Sequence, residues 1–261
     1  MQIKPSVLIT GASSGIGATY ANRFAKRGHS LVLVARNKSR LETLASSLRQ
    51  ENDINVDILQ ADLTQPEDIA KIETRLQADR KIEILVNNAG AGLAGNFEQQ
   101  SLDDITQLII LNSLTVVRLA RAISPRLVEK GSGAIINVGS VVGLVPEFGQ
   151  TVYGATKAFV LYLSQGLSFE LLPKGVYVQA VLPAATRTEI WERAGADLNN
   201  LPPLMDVGEL VDAALVGFDR KEAISIPPLP DISQWDSYQA ARLAMIPGFA
   251  NNHAAKRYLE G

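Results

Sequence analysis

Short apolar runs rich in Val, Ile and Leu alternate with longer amphipathic stretches along most of this chain, and no other feature restricts its fold as tightly. Runs at residues 6–10, 31–35, 56–60, 84–87, 134–140, 176–182 and 223–226 read as strands. Most lack the apolar–polar alternation of a sheet with one wet face, so helices are expected on both faces, as in a parallel sheet. Between them, residues 15–27, 38–51, 66–79, 103–129, 152–172 and 206–219 read as helices. Pro66 suits a first helical turn, and Gly28, Gly131 and Gly175 suit helix ends. The alternation predicts an α/β fold, a doubly wound sheet with right-handed crossovers. The 261 residues contain no linker, repeat or low-complexity tract, so the chain reads as one domain.

Two stretches leave this rhythm. Residues 184–206 hold no clear strand and at most a short helix, and a loop of that length inside a compact domain is expected to serve as a lid over a ligand. From about residue 227 to 261 the chain is irregular, with Pro227, Pro228 and Pro230 before a possible helix at 235–245.

Composition removes several classes of function. A net charge of −2 gives no electrostatic case for nucleic acid or an anionic membrane as main partner. The chain has no cysteine and two histidines, His29 and His253, so neither disulfides nor a metal centre is expected. The longest apolar strings, such as 31–35, fall far short of the roughly 20 residues that span a bilayer. The N-terminal apolar segment is too short for a secretory leader. A soluble, cytoplasmic protein is expected.

The first predicted strand runs straight into Thr10-Gly11-Ala12-Ser13-Ser14-Gly15-Ile16-Gly17 and then a helix. Strand, glycine turn and helix N-terminus together can hold a pyrophosphate through backbone N–H groups and the helix dipole. Glycine there admits positive φ and lets the backbone approach a ligand without an intervening Cβ. The same letters satisfy G-x-S-x-G, the nucleophile elbow of serine hydrolases, which would make Ser13 a nucleophile and leave only His253 late enough to act as its base. Both readings stand on the turn alone.

At the end of the second strand there is no acid to accept from a ribose 2′-hydroxyl. Arg36 instead offers a planar donor fork suited to a 2′-phosphate, and it reads equally well as a solvated helix start. Tyr153 and Lys157 lie four apart on a predicted helix and share a face. A fixed ammonium stabilises phenolate and would bring a tyrosine toward neutral pH, at roughly 1.4 kcal/mol per pH unit. Ser140 closes the fifth predicted strand thirteen residues earlier. Thr10, Arg36, Asn87 to Gly90, Ser140 and Pro183 all fall at carboxyl ends of strands, the edge at which open parallel sheets bind ligands.

Gly11/Gly15/Gly17, Asp62, Asn87-Asn88-Ala89-Gly90, Asn112, Ser140, Tyr153 and Lys157, in this order and spacing, resemble the short-chain dehydrogenase/reductase superfamily over roughly residues 5 to 190. The resemblance implies a Rossmann-like sheet of order 3-2-1-4-5-6-7 and an NAD(P) cofactor, with Arg36 favouring NADP(H) over NAD(H). It implies a catalytic tetrad: Ser140 polarises a carbonyl, Tyr153 gives or takes the proton, Lys157 lowers the tyrosine pKa and bonds the nicotinamide ribose, and Asn112 positions a relaying water. It also implies that the cofactor lies against Gly11, Ser13, Ser14, Gly15, Ile16 and Gly17 of the turn. Asp62 with Leu63 would meet the adenine, Asn88, Ala89 and Gly90 would run along the cofactor, and Pro183 and Thr188 would meet the nicotinamide. One departure is Ala184, where the family has glycine after the proline.

The expected chemistry is reversible hydride transfer between NADP(H) and an apolar ketone, aldehyde or secondary alcohol. Leu93, Phe97, Val142 to Phe148, Ile190, Trp191, Leu201, Leu204 and Met205 are the candidate substrate contacts. Arg187 and Arg193 are the lid's only cations, and Trp191 reads equally well as a lid anchor. A cofactor-binding sensor without turnover is the alternative from another class. The long apolar helices 103–129 and 152–172 imply, by the same resemblance, a homodimer or homotetramer.

Overall fold

The computed structural model describes residues 4–193 and 203–259, without the side chain of Arg193. Consecutive side chains of the first strand enter different cores. Val7 and Ile9 join one apolar cluster and Leu8 the other. That division is why most of the strands show no alternation: both faces are covered, so most positions are apolar.

The strands are β1 (Ser6–Thr10), β2 (Leu31–Ala35), β3 (Val56–Gln60), β4 (Ile82–Asn87), β5 (Gly133–Val138), β6 (Val176–Val181) and β7 (Ile224–Ser225). They form one sheet of order β3-β2-β1-β4-β5-β6-β7 in which every pairing is parallel. This is a Rossmann-like fold. The order reverses between β1 and β4, which opens a crevice at their carboxyl ends.

Helices α1 (Gly15–Lys26), α2 (Lys38–Glu51) and α3 (Pro66–Ala78) alternate with the first strands, and Pro66 opens α3. Next come α4 (Leu102–Ile109), α5 (Thr115–Lys130), α6 (Thr151–Leu171), the short α7 (Ile190–Arg193) and α8 (Val207–Asp219). Tyr20 and Phe24 of α1 pack with Leu41 and Leu48 of α2 on one face of the sheet. Ile72 and Leu76 of α3 pack with Leu119 and Ile123 of α5 on the other. Gly28, Gly131 and Gly175, read as helix ends, all take positive φ.

Two boundaries differ from the sequence reading in ways that matter for the site. The expected helix 103–129 is interrupted by one wide turn, Ile110–Leu114, with i→i+5 hydrogen bonding. Such bulges arise where a residue is presented at the cost of helical regularity, and here the turn carries Asn112. The expected strand 134–140 ends at Val138, and Ser140 instead caps the tight turn Val141–Gly143 by accepting from the Val142 N–H at 3.2 Å.

Read as one span, Leu102–Lys130 is long and apolar enough to cross a bilayer. Half of its most apolar window is buried, and Leu119, Ile123 and Leu127 belong to the core. The contacts divide into two compact units, Met1–Pro227 and Pro228–Gly261. The second holds α9 (Ser233–Ala244) and two short turns of 3₁₀ helix.

Candidate active site

Past β1 the chain turns through Gly11 (φ +65°) and Gly15 (φ +52°), conformations that favour glycine. Thr10 joins this turn to the end of β4. Its Oγ1 accepts from the N–H groups of Asn88 and Ala89 at 2.9 and 3.0 Å, while the Asn88 amide donates back to the Thr10 carbonyl at 2.9 Å. A Cβ on Gly17 would stand 2.3 Å from the Gly11 oxygen and 2.5 Å from Asn88 Nδ2. The third glycine therefore lets α1 approach the turn. Ser14 does not cap α1 with its side chain, and the first helical turn carries no acid. A helix N-terminus of that kind favours an anion.

This turn forms one wall of a cleft of about 880 Å³. Gly11, Ser13, Ser14, Gly15 and Ile16 line it, as do Arg36, Asp62, Leu63 and Asn88 to Gly90. At its other end lie Ser140, Tyr153, Lys157, Pro183 and Thr188. Two of the sequence candidates stand behind the wall instead: Gly17 supports the turn, and Asn112 holds the segment after β4. Asn112 Oδ1 accepts from Ala91 N–H at 3.0 Å, and Asn112 Nδ2 donates to the Ala91 carbonyl at 3.0 Å and to Thr156 Oγ1 at 3.2 Å.

Ser140 and Lys157 are buried and Tyr153 is half-buried. Lys157 Nζ donates to the Val138 carbonyl at 3.0 Å and stands 5.6 Å from the Tyr153 ring centroid. Burial brings the lysine down to about 8. Burial also pushes the tyrosine above its ordinary value, opposed by its hydrogen bond with Ser140. The Ser140 hydrogen bond is thus a contact that favours phenolate. Ser140 Oγ also contacts the Pro183 carbonyl at 3.3 Å. Two hydroxyls beside a buried amine can together bind a carbonyl oxygen and exchange a proton with it.

At the far end, Arg36 also borders a second cavity of about 430 Å³ with Asp62, Asp68 and Lys71. Asp62 Oδ1 accepts from the N–H and hydroxyl of Thr64. Arg40 on α2 pairs with Glu189 at 2.8 Å, linking that helix to the segment after β6. The glycine turn with its open helix end, and Arg36 at the sheet edge, fit a dinucleotide carrying a further phosphate.

Among the substrate candidates, Leu93 and Ile190 line the main cleft. The Trp191 indole N–H donates to the Thr186 carbonyl at 2.8 Å and so ties α7 to the segment after β6. Leu201 and the Arg193 side chain lie outside the described residues. Ala184 is not among the residues with positive φ, so its methyl group meets no backbone strain. Two supporting residues escaped the sequence reading. Thr156 receives Asn112 and donates to the Tyr153 carbonyl at 2.7 Å. Gly143 brings the Ser140 turn against α6, since a Cβ there would lie 2.6 Å from Ala158 N. His253, the base that the elbow reading requires, belongs to the second compact unit, Pro228–Gly261.

The short chain dehydrogenase family model matches residues 5–199. Among curated proteins, very-long-chain 3-oxoacyl-CoA reductase from Bos taurus is 36% identical over 189 residues, covering 70% of this chain and 60% of that protein. Among solved structures, a short-chain dehydrogenase from Sphingobium yanoikuyae in complex with NADPH is 61% identical, with a TM-score of 0.96, over 97% of this chain and 99% of that one. The bulky-bulky ketone specific alcohol dehydrogenase from Comamonas testosteroni is 56% identical, with a TM-score of 0.93, over 99% of this chain and all of that one. The chain belongs to the short-chain dehydrogenase family of oxidoreductases.

Proposed function

We propose that this enzyme interconverts an apolar ketone carrying two bulky substituents and its secondary alcohol, using NADP(H). The observation that carries the reading is the placement of Ser140, Tyr153 and Lys157 at one end of a cleft whose other end holds the glycine turn and Arg36. When bound, NADP(H) supplies or accepts the hydride. Ser140 and Tyr153 donate to the substrate oxygen, and Tyr153 gives its proton as the alkoxide develops or removes it in the reverse direction. Lys157, held by the Val138 carbonyl, keeps a positive charge beside the phenol below pH of about 8. Asn112 fixes the strand-end segment against α6 through Thr156, and so holds the Tyr153–Lys157 turn in register.

The cofactor preference rests on Arg36 and the absence of an acid at the end of β2. It is supported by the NADPH complex of the Sphingobium neighbour. The apolar substrate rests on Leu93 and Ile190 and on the Comamonas neighbour. We read the protein as soluble and cytoplasmic, and as a homo-oligomer with α5 and α6 at the subunit contact, where Phe159, Tyr162 and Phe169 are exposed.

The test is consumption of NADPH and NADH with diaryl and aryl-alkyl ketones, an aliphatic aldehyde and a 3-oxoacyl-CoA. The reading expects NADPH-dependent turnover greatest with the bulky ketones. Faster turnover of the 3-oxoacyl-CoA would transfer the substrate assignment to acyl thioesters. Tight NADPH binding with no turnover of any carbonyl would favour a sensor.

A further inference from the structure

Asp62 stands just past β3 on the wall of the main cleft, at the end that Arg36 also lines. Most of its polar groups are engaged. Oδ1 accepts from the Thr64 N–H at 3.0 Å and from the Thr64 hydroxyl at 2.8 Å, and the Asp62 carbonyl accepts from the Gln65 N–H at 2.9 Å. The Asp62 N–H donates to Asp68 Oδ2 at 2.8 Å. The second carboxylate oxygen of Asp62 makes no hydrogen bond among the described residues. An ionised carboxylate only accepts, so this oxygen calls for a donor, and the amino group of adenine is one.

The four bonds differ in what they fix. Those from Thr64 and Gln65 are local and shape the turn without setting where it points. The bond to Asp68 comes from the first turn of α3 and ties Asp62 to that helix. On that side a cavity of about 430 Å³ adjoins both Asp62 and Asp68, so packing does little to hold Asp62 there. Asp68 is itself oriented. Lys71 donates to its Oδ1 at 2.6 Å, which leaves Oδ2 for the Asp62 N–H, and these two donors hold the Asp68 carboxyl below the usual carboxylate range.

We propose that Asp68 is a positioning residue for the adenine end of the cofactor: by holding the Asp62 N–H it aims the remaining Asp62 oxygen at the amino group of the base. The inference rests on the reading that the adenine of NADP(H) lies against Asp62.

The test compares two ligands, NADP⁺ and its hypoxanthine analogue, whose base carries a carbonyl oxygen in place of the amino group. Titration calorimetry gives both affinities without turnover. The native chain should bind NADP⁺ about tenfold more tightly, the effect of one hydrogen bond to a charged acceptor. Asp68→Ala should lower that ratio to about threefold or less. Asp68→Asn keeps an oxygen that can accept from the Asp62 N–H, and should restore the ratio. Each ratio is taken within one variant, so a loss of folded protein cancels. A merely structural part for Asp68 in α3 would weaken both ligands equally, and a tenfold ratio surviving in Asp68→Ala would overturn the proposal. So would a ratio that Asp68→Asn leaves as low as Asp68→Ala does. Equal affinities in the native chain would overturn the placement of adenine against Asp62, and the proposal with it.

Discussion

The carboxyl edge of the sheet and the C-terminal unit invert the usual rule of burial in opposite directions. At the edge, polar groups are inside. Asn112, Ser140 and Lys157 are 1%, 6% and 6% exposed, and each is held by hydrogen bonds from its own chain. In the second unit apolar groups are outside, from Ile232 to Leu259. Buried polar groups cost free energy unless partnered, so the edge is a site whose geometry one chain determines by itself. Exposed apolar groups of that number are the kind of surface used for interaction. Changes at the edge should alter cofactor binding, proton transfer or stability.

The largest effect on stability should come from the buried amine. Lys157 has its folded value near 8, below the ordinary lysine value of 10.5. Between those pH values the unfolded chain binds more protons than the folded one, so stability rises with pH across that window, by up to about 3 kcal/mol. Below pH 8 the full burial penalty remains. Lys157→Met should remove this slope and raise the cofactor-free melting temperature at pH 7, as read by calorimetry across pH 7 to 10. An unchanged slope would mean that the amine is hydrated. Gly17→Ala should follow, since its Cβ meets the Gly11 oxygen at 2.3 Å. Overpacking of that kind costs about 1–3 kcal/mol, and nucleotide binding by titration calorimetry should weaken with it. Arg36→Glu should turn preference from NADPH toward NADH by about 2 kcal/mol, roughly thirtyfold in the ratio of kcat/KM values. Glu189→Gln should do least. Its bond to Arg40 is half exposed, and loss of such a pair moves affinity by less than about 1 kcal/mol. A larger change in NADPH affinity there would extend the self-contained edge into the segment after β6.

How far this was legible from sequence follows the same division. Strands β1 and β2 could be read to the residue because each is a largely apolar run ended by glycine or a charged residue, and β3, though Asp57 interrupts it, falls at the residues expected. The broken helix around Asn112 could not. Ile110, Leu111 and Leu114 continue an apolar helical pattern, and only the tertiary bonds of Asn112 to Ala91 and Thr156 favour the wider turn. Ser140 was read as a strand end because Gly139 precedes it without a charge or proline, whereas the ladder ends at Val138. The direction of the Tyr153 shift depends on burial, which spacing along a helix does not encode. Thr156 and Gly143 carry no chemistry of their own. A hydroxyl between Tyr153 and Lys157 and a glycine three residues past Ser140 were the available signals, and their meaning depends on α6 packing against the Ser140 turn.

The central claim is that Tyr153 exchanges the proton in a site complete within one chain. The direct measurement is the single-turnover rate of NADPH oxidation with a bulky aryl ketone, in the native enzyme and in Tyr153→Phe, with NADPH affinity measured in parallel. The account predicts a loss of about 10²- to 10⁴-fold in that rate with cofactor affinity retained. A variant that transfers hydride at nearly the native rate would contradict it.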